Sequence, residues 1–265
     1  MRSGSRTCRC SAVPDLASWH HNVLWFLAGL AALTLMSGFF ITNPYGRHMS
    51  GRERFTLPAL PAWLIFEFPQ LWAFTVTFWY AAENPSAAAV LLYGLWQAHY
   101  IYRAIIYPLR THKTGKRFPL SGVIFGFLFN ALNGFANGYA VAHAPHLLNS
   151  WLQDPRFLIG LAIALSGWWI NFRADTILIH LRDDGSHGYK IPYGGAFRWV
   201  SGANYLGEII LWCGWALMSW TAAGLIFALF TIANLFPRAL AHHRWYRRHF
   251  PDYPPERKAI IPSLI

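Results

Sequence analysis

The chain has 265 residues, of which 55% are hydrophobic and only 12% charged, with 14 Trp and 20 Phe. Ordinary water-soluble domains carry about 25% charged residues, so this composition excludes one and indicates a membrane protein. The formal net charge is +11, and its distribution, described below, assigns it to membrane topology rather than to nucleic acid.

The first twenty residues hold three arginines and precede an apolar run, as a signal sequence would. That run is long enough to span a bilayer, and no small-residue cleavage pattern follows "SGFFITNPYG", so it reads as a retained first span behind a flexible segment 1–20. In chain order, apolar stretches of about the 20 residues that cross a bilayer as a helix fall near 22–41, 62–80, 87–108, 121–142, 157–180, 203–218 and 220–238. The last two are divided only by a short break around Met218, Ser219 and Trp220. The expected fold is therefore all-α: a single domain, 1–265, of seven transmembrane helices, with 239–265 as a cytoplasmic tail.

Positive charge in short loops marks the cytoplasmic side. With seven spans, 16 of the 22 basic residues fall on one set of connections: Arg47, Arg52, Arg54, then Arg110, Lys113, Lys116, Arg117, then Arg182, Lys190, Arg198, and the tail from Arg238 to Lys258. The opposite set holds Arg156 and the arginines of the first nine residues. This places the amino terminus outside and the carboxyl terminus in the cytoplasm. The Gly-, Pro- or charge-rich breaks 42–61, 110–119 and 182–199 all lie on the cytoplasmic side, where they could close over a site.

Cys8, Cys10 and Cys213 form neither a disulfide framework nor a CxxC pair. The 12 histidines contain no HExxH and no clustered boxes, so no metal site is expected. There is also no GxGxxG after a strand and no P-loop.

Ionisable residues inside the spans are costly and normally face a cavity or a partner. They form four groups: Glu67; His99, Tyr100 and Arg103; Asn171, Arg173 and Asp175; and Asn204 with Glu208. Asn171 and Asp175 lie four apart, as do Asn204 and Glu208, so each pair shares a helix face. In "FPRALAHHRWYRRHF", Arg238, His242 and Tyr246 recur every four residues as a stripe of cationic and hydroxyl donors suited to phosphate. With Asn171, Asp175, Asn204 and Glu208 as acceptors for ribose hydroxyls and a carboxamide, these residues look like the parts of a nucleotide pocket.

The segments "HYIYRAIIYPL", "NFRADTILIHLR", "GYKIPYGGAFRWVSGANYLGEIILW" and "RALAHHRWYRRHFPDYPPERKAIIPSLI" together resemble the signature segments of the steroid 5α-reductase family, in that family's order. "YGRH" and "WLIFEFPQL" match less specifically. The resemblance implies a seven-helix membrane reductase that uses NADPH to reduce the 4,5 double bond of 3-oxo-4-ene steroids. It places Glu67 and Tyr100 at the substrate ketone as the catalytic pair. It assigns cofactor contacts to Tyr45, Arg103, Asn171, Asp175, Arg182, Asn204, Glu208, Arg238, His242 and Tyr246. Lys190 stands where the family commonly has Arg, keeping charge but losing the planar fork. Trp63 and Phe66, beside Glu67, are candidate substrate contacts. A lipophilic substrate would enter from the bilayer; membrane lipids are the other partners expected, with no nucleic acid and no obligate protein. The membrane would be the inner one in a bacterium and the endoplasmic reticulum in a eukaryote. Rival readings are a related enoyl or polyprenol reductase and, further off, a membrane methyltransferase using S-adenosylmethionine.

Overall fold

In the computed structural model, residues 15–40, 55–111, 117–181 and 188–265 are described. Within them every predicted apolar stretch is helical, but not always as one uninterrupted helix. α1 (Leu16–Gly38) starts where the side chain of Asp15 accepts from the Ser18 N–H at 2.7 Å. The stretch predicted as 62–80 is divided into α2 (Ala59–Glu67) and α3 (Pro69–Ala81). Phe68 keeps helical dihedrals, but Pro69 has no N–H to donate, so the backbone ladder lapses there and the chain continues as two segments.

The next stretch is also interrupted. α4 (Ala87–Ile101) passes into a π turn over Tyr102–Ile106 and then α5 (Tyr107–Thr111), with the Tyr107 N–H reaching back to the Tyr102 carbonyl. α6 (Leu120–His143) and α7 (Pro155–His180) are continuous, and Asp154 and Pro155 set the start of α7. α8 (Ala203–Ser219) ends at Trp220, whose φ of 49° lies in the left-handed region, and Thr221 caps α9 (Ala222–His249) by accepting from the Gly224 N–H. The soft boundary expected at 218–220 is thus a sharp reversal.

Among the described residues four helices, α1, α6, α7 and α9, are long and apolar enough to cross a membrane. Two of the remaining stretches are divided, and α8 has 17 residues. Two departures from the all-α expectation are small. Strands β1 (Thr56–Pro58) and β2 (Arg117–Pro119) pair antiparallel, with Leu57 opposite Phe118. In addition, Val200 forms a parallel bridge with Lys258. α9 does not end at residue 238 but runs on through Pro237 to His249, so the stripe expected at the start of the tail lies on the same helix as the last apolar stretch.

α7 and α8 make the closest helix pair. Gly160 and Gly167 on α7 face Gly214 and Gly207 on α8, and a Cβ on Gly207 would run into the backbone of Asn171. Small residues at a seven-residue spacing let the two backbones touch, a common solution where lipid removes any hydrophobic drive for helices to associate. An aromatic core of Phe74, Phe78, Trp96, Trp212, Trp215 and Phe227 joins this pair to α3, α4 and α9. Many large apolar side chains, among them Trp25, Phe40, Tyr80 and Trp169, point outward, as a lipid-facing surface requires.

Candidate active site

The π turn sets the centre of the site. An extra residue in a helical turn displaces the side chains around it and leaves backbone groups for other partners, and such turns recur at functional sites. Here the carbonyl of Arg103 accepts from the Trp63 indole N–H at 2.9 Å, tying α2 to the turn. The Arg103 guanidinium lies over the rings of Tyr107 at 4.8 Å and Trp63 at 5.2 Å. It reaches Asp175 of α7 through Nη1 at 3.3 Å and Glu208 of α8 through Nε at 3.4 Å.

One acid from each polar pair read from spacing, Asp175 and Glu208, therefore meets Arg103. Asn171 and Asp175 are both almost fully buried on α7, and Asn171 Nδ2 donates to the Asn204 carbonyl at 3.0 Å. Glu208 accepts from the Trp212 indole N–H at 3.0 Å, while its Oε1 is buried without a hydrogen bond and meets only the Arg103 charge among the described residues. Tyr100, one turn before Arg103, is 3% exposed and stands among Trp96, His99 and Trp212, with ring centroids 5.0, 5.0 and 5.8 Å away. Glu67 ends α2, four residues after Trp63, whose indole N–H is bonded to the Arg103 carbonyl.

A second group gathers around α9. Arg238 Nε donates to the Tyr205 hydroxyl at 2.9 Å, His242 packs on the Tyr205 ring at 5.3 Å, and Tyr246 stacks on Tyr253 at 5.3 Å with planes 13° apart. Tyr205 of α8, next to Asn204, is thus part of this polar stripe. Lys190 is described and half-buried, whereas Tyr45 and Arg182 lie outside the described residues. Trp63 and Phe66 pack with ring centroids 5.0 Å apart and planes tilted by 54°, and both meet Phe118 of β2, forming an aromatic wall next to Glu67.

Three features had escaped the sequence reading. Arg257 is 3% exposed between the rings of Tyr193 and Tyr253, and its Nε and Nη1 have no hydrogen-bond partner among the described residues. A charge inside the tail gave no periodic signal. His99, one of the ionisable residues read inside the spans, has a buried Nδ1 that is likewise without a hydrogen bond among the described residues. The tail itself folds back: Ser201 N–H donates to the Lys258 carbonyl at 2.8 Å and Gly202 N–H to the Ala259 carbonyl at 3.0 Å. Ser201 Oγ adds contacts to His243 Nδ1 at 2.7 Å and the Tyr253 hydroxyl at 2.6 Å. No group of three or more His, Cys, Asp or Glu able to hold a metal occurs among the described residues.

Comparison with known proteins gives this arrangement a context. The family described as 3-oxo-5-alpha-steroid 4-dehydrogenase matches residues 116–265. The chain is 42% identical to steroid 5-alpha-reductase DET2 of Solanum lycopersicum over 247 residues, covering 91% of this chain and 95% of the relative. It is 42% identical to human 3-oxo-5-alpha-steroid 4-dehydrogenase 1 over 225 residues, covering 83% and 86%, and 39% identical to DET2 of Arabidopsis thaliana over 233 residues, covering 85% and 88%. The Glu67 and Tyr100 helices and both polar groups fall within a chain that is matched nearly end to end: it belongs to the steroid 5α-reductase family, membrane oxidoreductases acting on CH–CH bonds.

Proposed function

We propose that this protein reduces the 4,5 double bond of 3-oxo-4-ene steroids to 5α-steroids, using NADPH, within a bundle that crosses the membrane seven times with its carboxyl terminus in the cytoplasm. One observation carries the reading: a buried phenol, Tyr100, stands one turn from an arginine held between two carboxylates at a π turn, with the Trp63 indole bonded to the carbonyl of that turn. The names of the relatives supply the steroid and the position of the double bond.

The residues present fit a dinucleotide. Arg103, Asp175, Glu208 and Asn171 combine donors and acceptors at the inner end of the α7–α8 pair, as a carboxamide and ribose need. The buried unbonded N–H groups of Arg257, with the Arg238, His242 and Tyr246 stripe, are suited to phosphate, because a buried donor without an acceptor is unfavourable until an anion arrives. NADPH, when bound, supplies the hydride that adds to the β-carbon of the enone.

The protein's own part is at the ketone. As the β-carbon gains a bond, negative charge builds on the ketone oxygen as an enolate, and a fixed donor there lowers the barrier in the manner of an oxyanion hole. The Tyr100 hydroxyl is that donor, with Glu67 either donating a second hydrogen bond as the acid or orienting the phenol as the carboxylate. Collapse of the enolate takes a proton at the α-carbon, from Tyr100 or from water. Trp96, Trp212 and Phe227 exclude bulk water behind Tyr100, which strengthens the hydrogen bond at the oxygen.

The test is NADPH oxidation by detergent-purified protein with testosterone or progesterone, with product identification. Formation of the 5α-reduced steroid supports the reading. Binding of NADPH without steroid reduction moves the substrate to another enone or enoyl class, and failure to bind NADPH overturns the reductase mechanism.

A further inference from the structure

α6 carries a ladder of side-chain amides, Asn130, Asn133 and Asn137, at spacings of three and four, all turned toward the interior. Asn130 Nδ2 donates to the carbonyl of Phe66 at 2.5 Å, and its Oδ1 accepts from Gln70 Nε2 at 2.7 Å. Asn133 Nδ2 approaches Gln70 Oε1 at 3.4 Å, and the Gln70 carbonyl accepts from the Trp96 indole N–H at 3.0 Å. Gln70 is fully buried and Trp96 nearly so.

The placement of these bonds matters more than their number. Phe66 directly precedes Glu67, and Gln70 directly follows Pro69, where the backbone ladder between α2 and α3 lapses. Trp96 lies one turn before Tyr100, with ring centroids 5.0 Å apart. A continuous path of hydrogen bonds therefore runs from the carbonyl next to Glu67, through Asn130 and Gln70, to the turn that carries Tyr100. On its other side Glu67 is tethered four residues earlier, by Trp63 to the Arg103 carbonyl. A helix interrupted at proline has lost the bonds that would fix the rotation of its last turn, and side-chain amides in a dry interior supply directional replacements.

We infer that Asn130, acting through Gln70, is a positioning residue that fixes Glu67 against Tyr100 so that both address one carbonyl oxygen. This rests on the catalytic pair proposed above. Displacement of a reacting group by about 1 Å can cost on the order of 10²-fold in rate, whereas binding of a large apolar substrate is spread over many contacts and changes little. The clamp should therefore act on kcat and leave KM nearly unchanged.

The experiment uses the full chain in lipid nanodiscs, with Cys8, Cys10 and Cys213 changed to serine and nitroxides placed at positions 65 and 101, both outward-facing and about half exposed. Asn130→Ala is compared with Asn137→Ala, which removes a buried amide from the same helix that accepts from Trp215 and donates to Asn133 but makes no bond to Phe66 or Gln70. Gln70→Ala and Gln70→Asn serve if Asn130→Ala does not fold. The expected result is a broadened 65–101 distance distribution and a kcat lowered about 10- to 100-fold with KM within about threefold for the Asn130 or Gln70 variants, while Asn137→Ala keeps a narrow distribution and wild-type kcat. Equal effects from Asn137→Ala, an effect on KM alone, or broadening with unchanged kcat would overturn the proposal. If the wild type reduces no 3-oxo-4-ene steroid, the catalytic reading fails instead, and the label distances still decide whether the clamp holds α2 to α4.

Discussion

Arg103 Nε lies 3.4 Å from Glu208 Oε1, so an arginine on the π turn after α4 meets a carboxylate on α8, more than a hundred residues later. With Asp175 on its other edge, this one guanidinium faces two carboxylates, one buried and one partly buried. Removing one partner of a buried ion pair leaves uncompensated charge and costs about 3–5 kcal/mol. Arg103→Met should lower the thermal midpoint in detergent and abolish measurable NADPH affinity. Arg103→Lys should fold but bind more weakly, because one ammonium cannot serve both carboxylates from a fork. Thermal shift with and without NADPH checks both.

Loss of the donor at a developing oxyanion costs about 10²- to 10³-fold in kcat. Tyr100→Phe should show that loss with the NADPH dissociation constant unchanged, since the hydroxyl is assigned to the substrate. Glu67→Gln should also lower kcat, by less if the amide can still donate. Single-turnover reduction under saturating NADPH separates these effects from binding.

Close backbone contact between α7 and α8 predicts graded effects of alanine. Gly214→Ala drives a methyl into the backbone of Ala164, far from the acids, and should reduce stability by about 1–3 kcal/mol without altering cofactor affinity. Gly207→Ala pushes on Asn171 itself, one turn from Asp175, and should reduce stability and NADPH affinity together. Comparing melting with NADPH titration in the two variants distinguishes packing from site geometry.

Asp154 supplies a pH-dependent contribution outside the helices. Its carboxylate receives both Arg156 Nε at 2.9 Å and Nη2 at 2.8 Å, and Arg156 is sandwiched by Trp151 and Trp220. The Arg156 hydrogen bonds hold the carboxyl at about 2, below its ordinary 3.8. Because the folded value is the lower one, the unfolded chain binds the proton first: the stabilisation is complete above about pH 4 and is lost as pH falls toward 2. Asp154→Asn should flatten that part of the stability profile, read by acid titration of intrinsic fluorescence.

Ser201 joins the start of α8 to His243, Tyr253 and the Lys258 carbonyl. Ser201→Ala should loosen the 250–260 segment, increase its cleavage in limited proteolysis, and weaken NADPH binding, with steroid reduction recovering at high NADPH.

Much of this was legible in the sequence because membrane burial leaves coarse signals. Apolar length located the helical stretches, and the four-residue spacings of Asn171 with Asp175 and of Asn204 with Glu208 singled out the two helices whose acids, Asp175 and Glu208, meet Arg103. The π turn was not legible: nothing in "YRAII" distinguishes an extra residue per turn from an ordinary one, and it took the Trp63 tether to reveal what the displaced carbonyl does. Pro69 stood in plain view, yet the stretch 62–80 was read as unbroken because hydropathy ignores a missing N–H. The amides of α6 follow helical spacing, but neutral side chains carry no charge signal to separate a buried network from ordinary packing. Arg257 and the Val200–Lys258 bridge depend on pairing between distant segments, which periodicity cannot register.

That last pairing bears on how the protein comes into being. Ser201 and its partner Lys258 are 57 residues apart, with all of α8 and α9 made between them. Helices can enter the bilayer one after another as they are synthesised, but the surface that seats Arg257 and Tyr253 against the start of α8 has no counterpart until the later segment has been translated. Cofactor capture would then wait for the end of assembly, and a chain stalled in α9 would be inserted yet unable to bind the nucleotide.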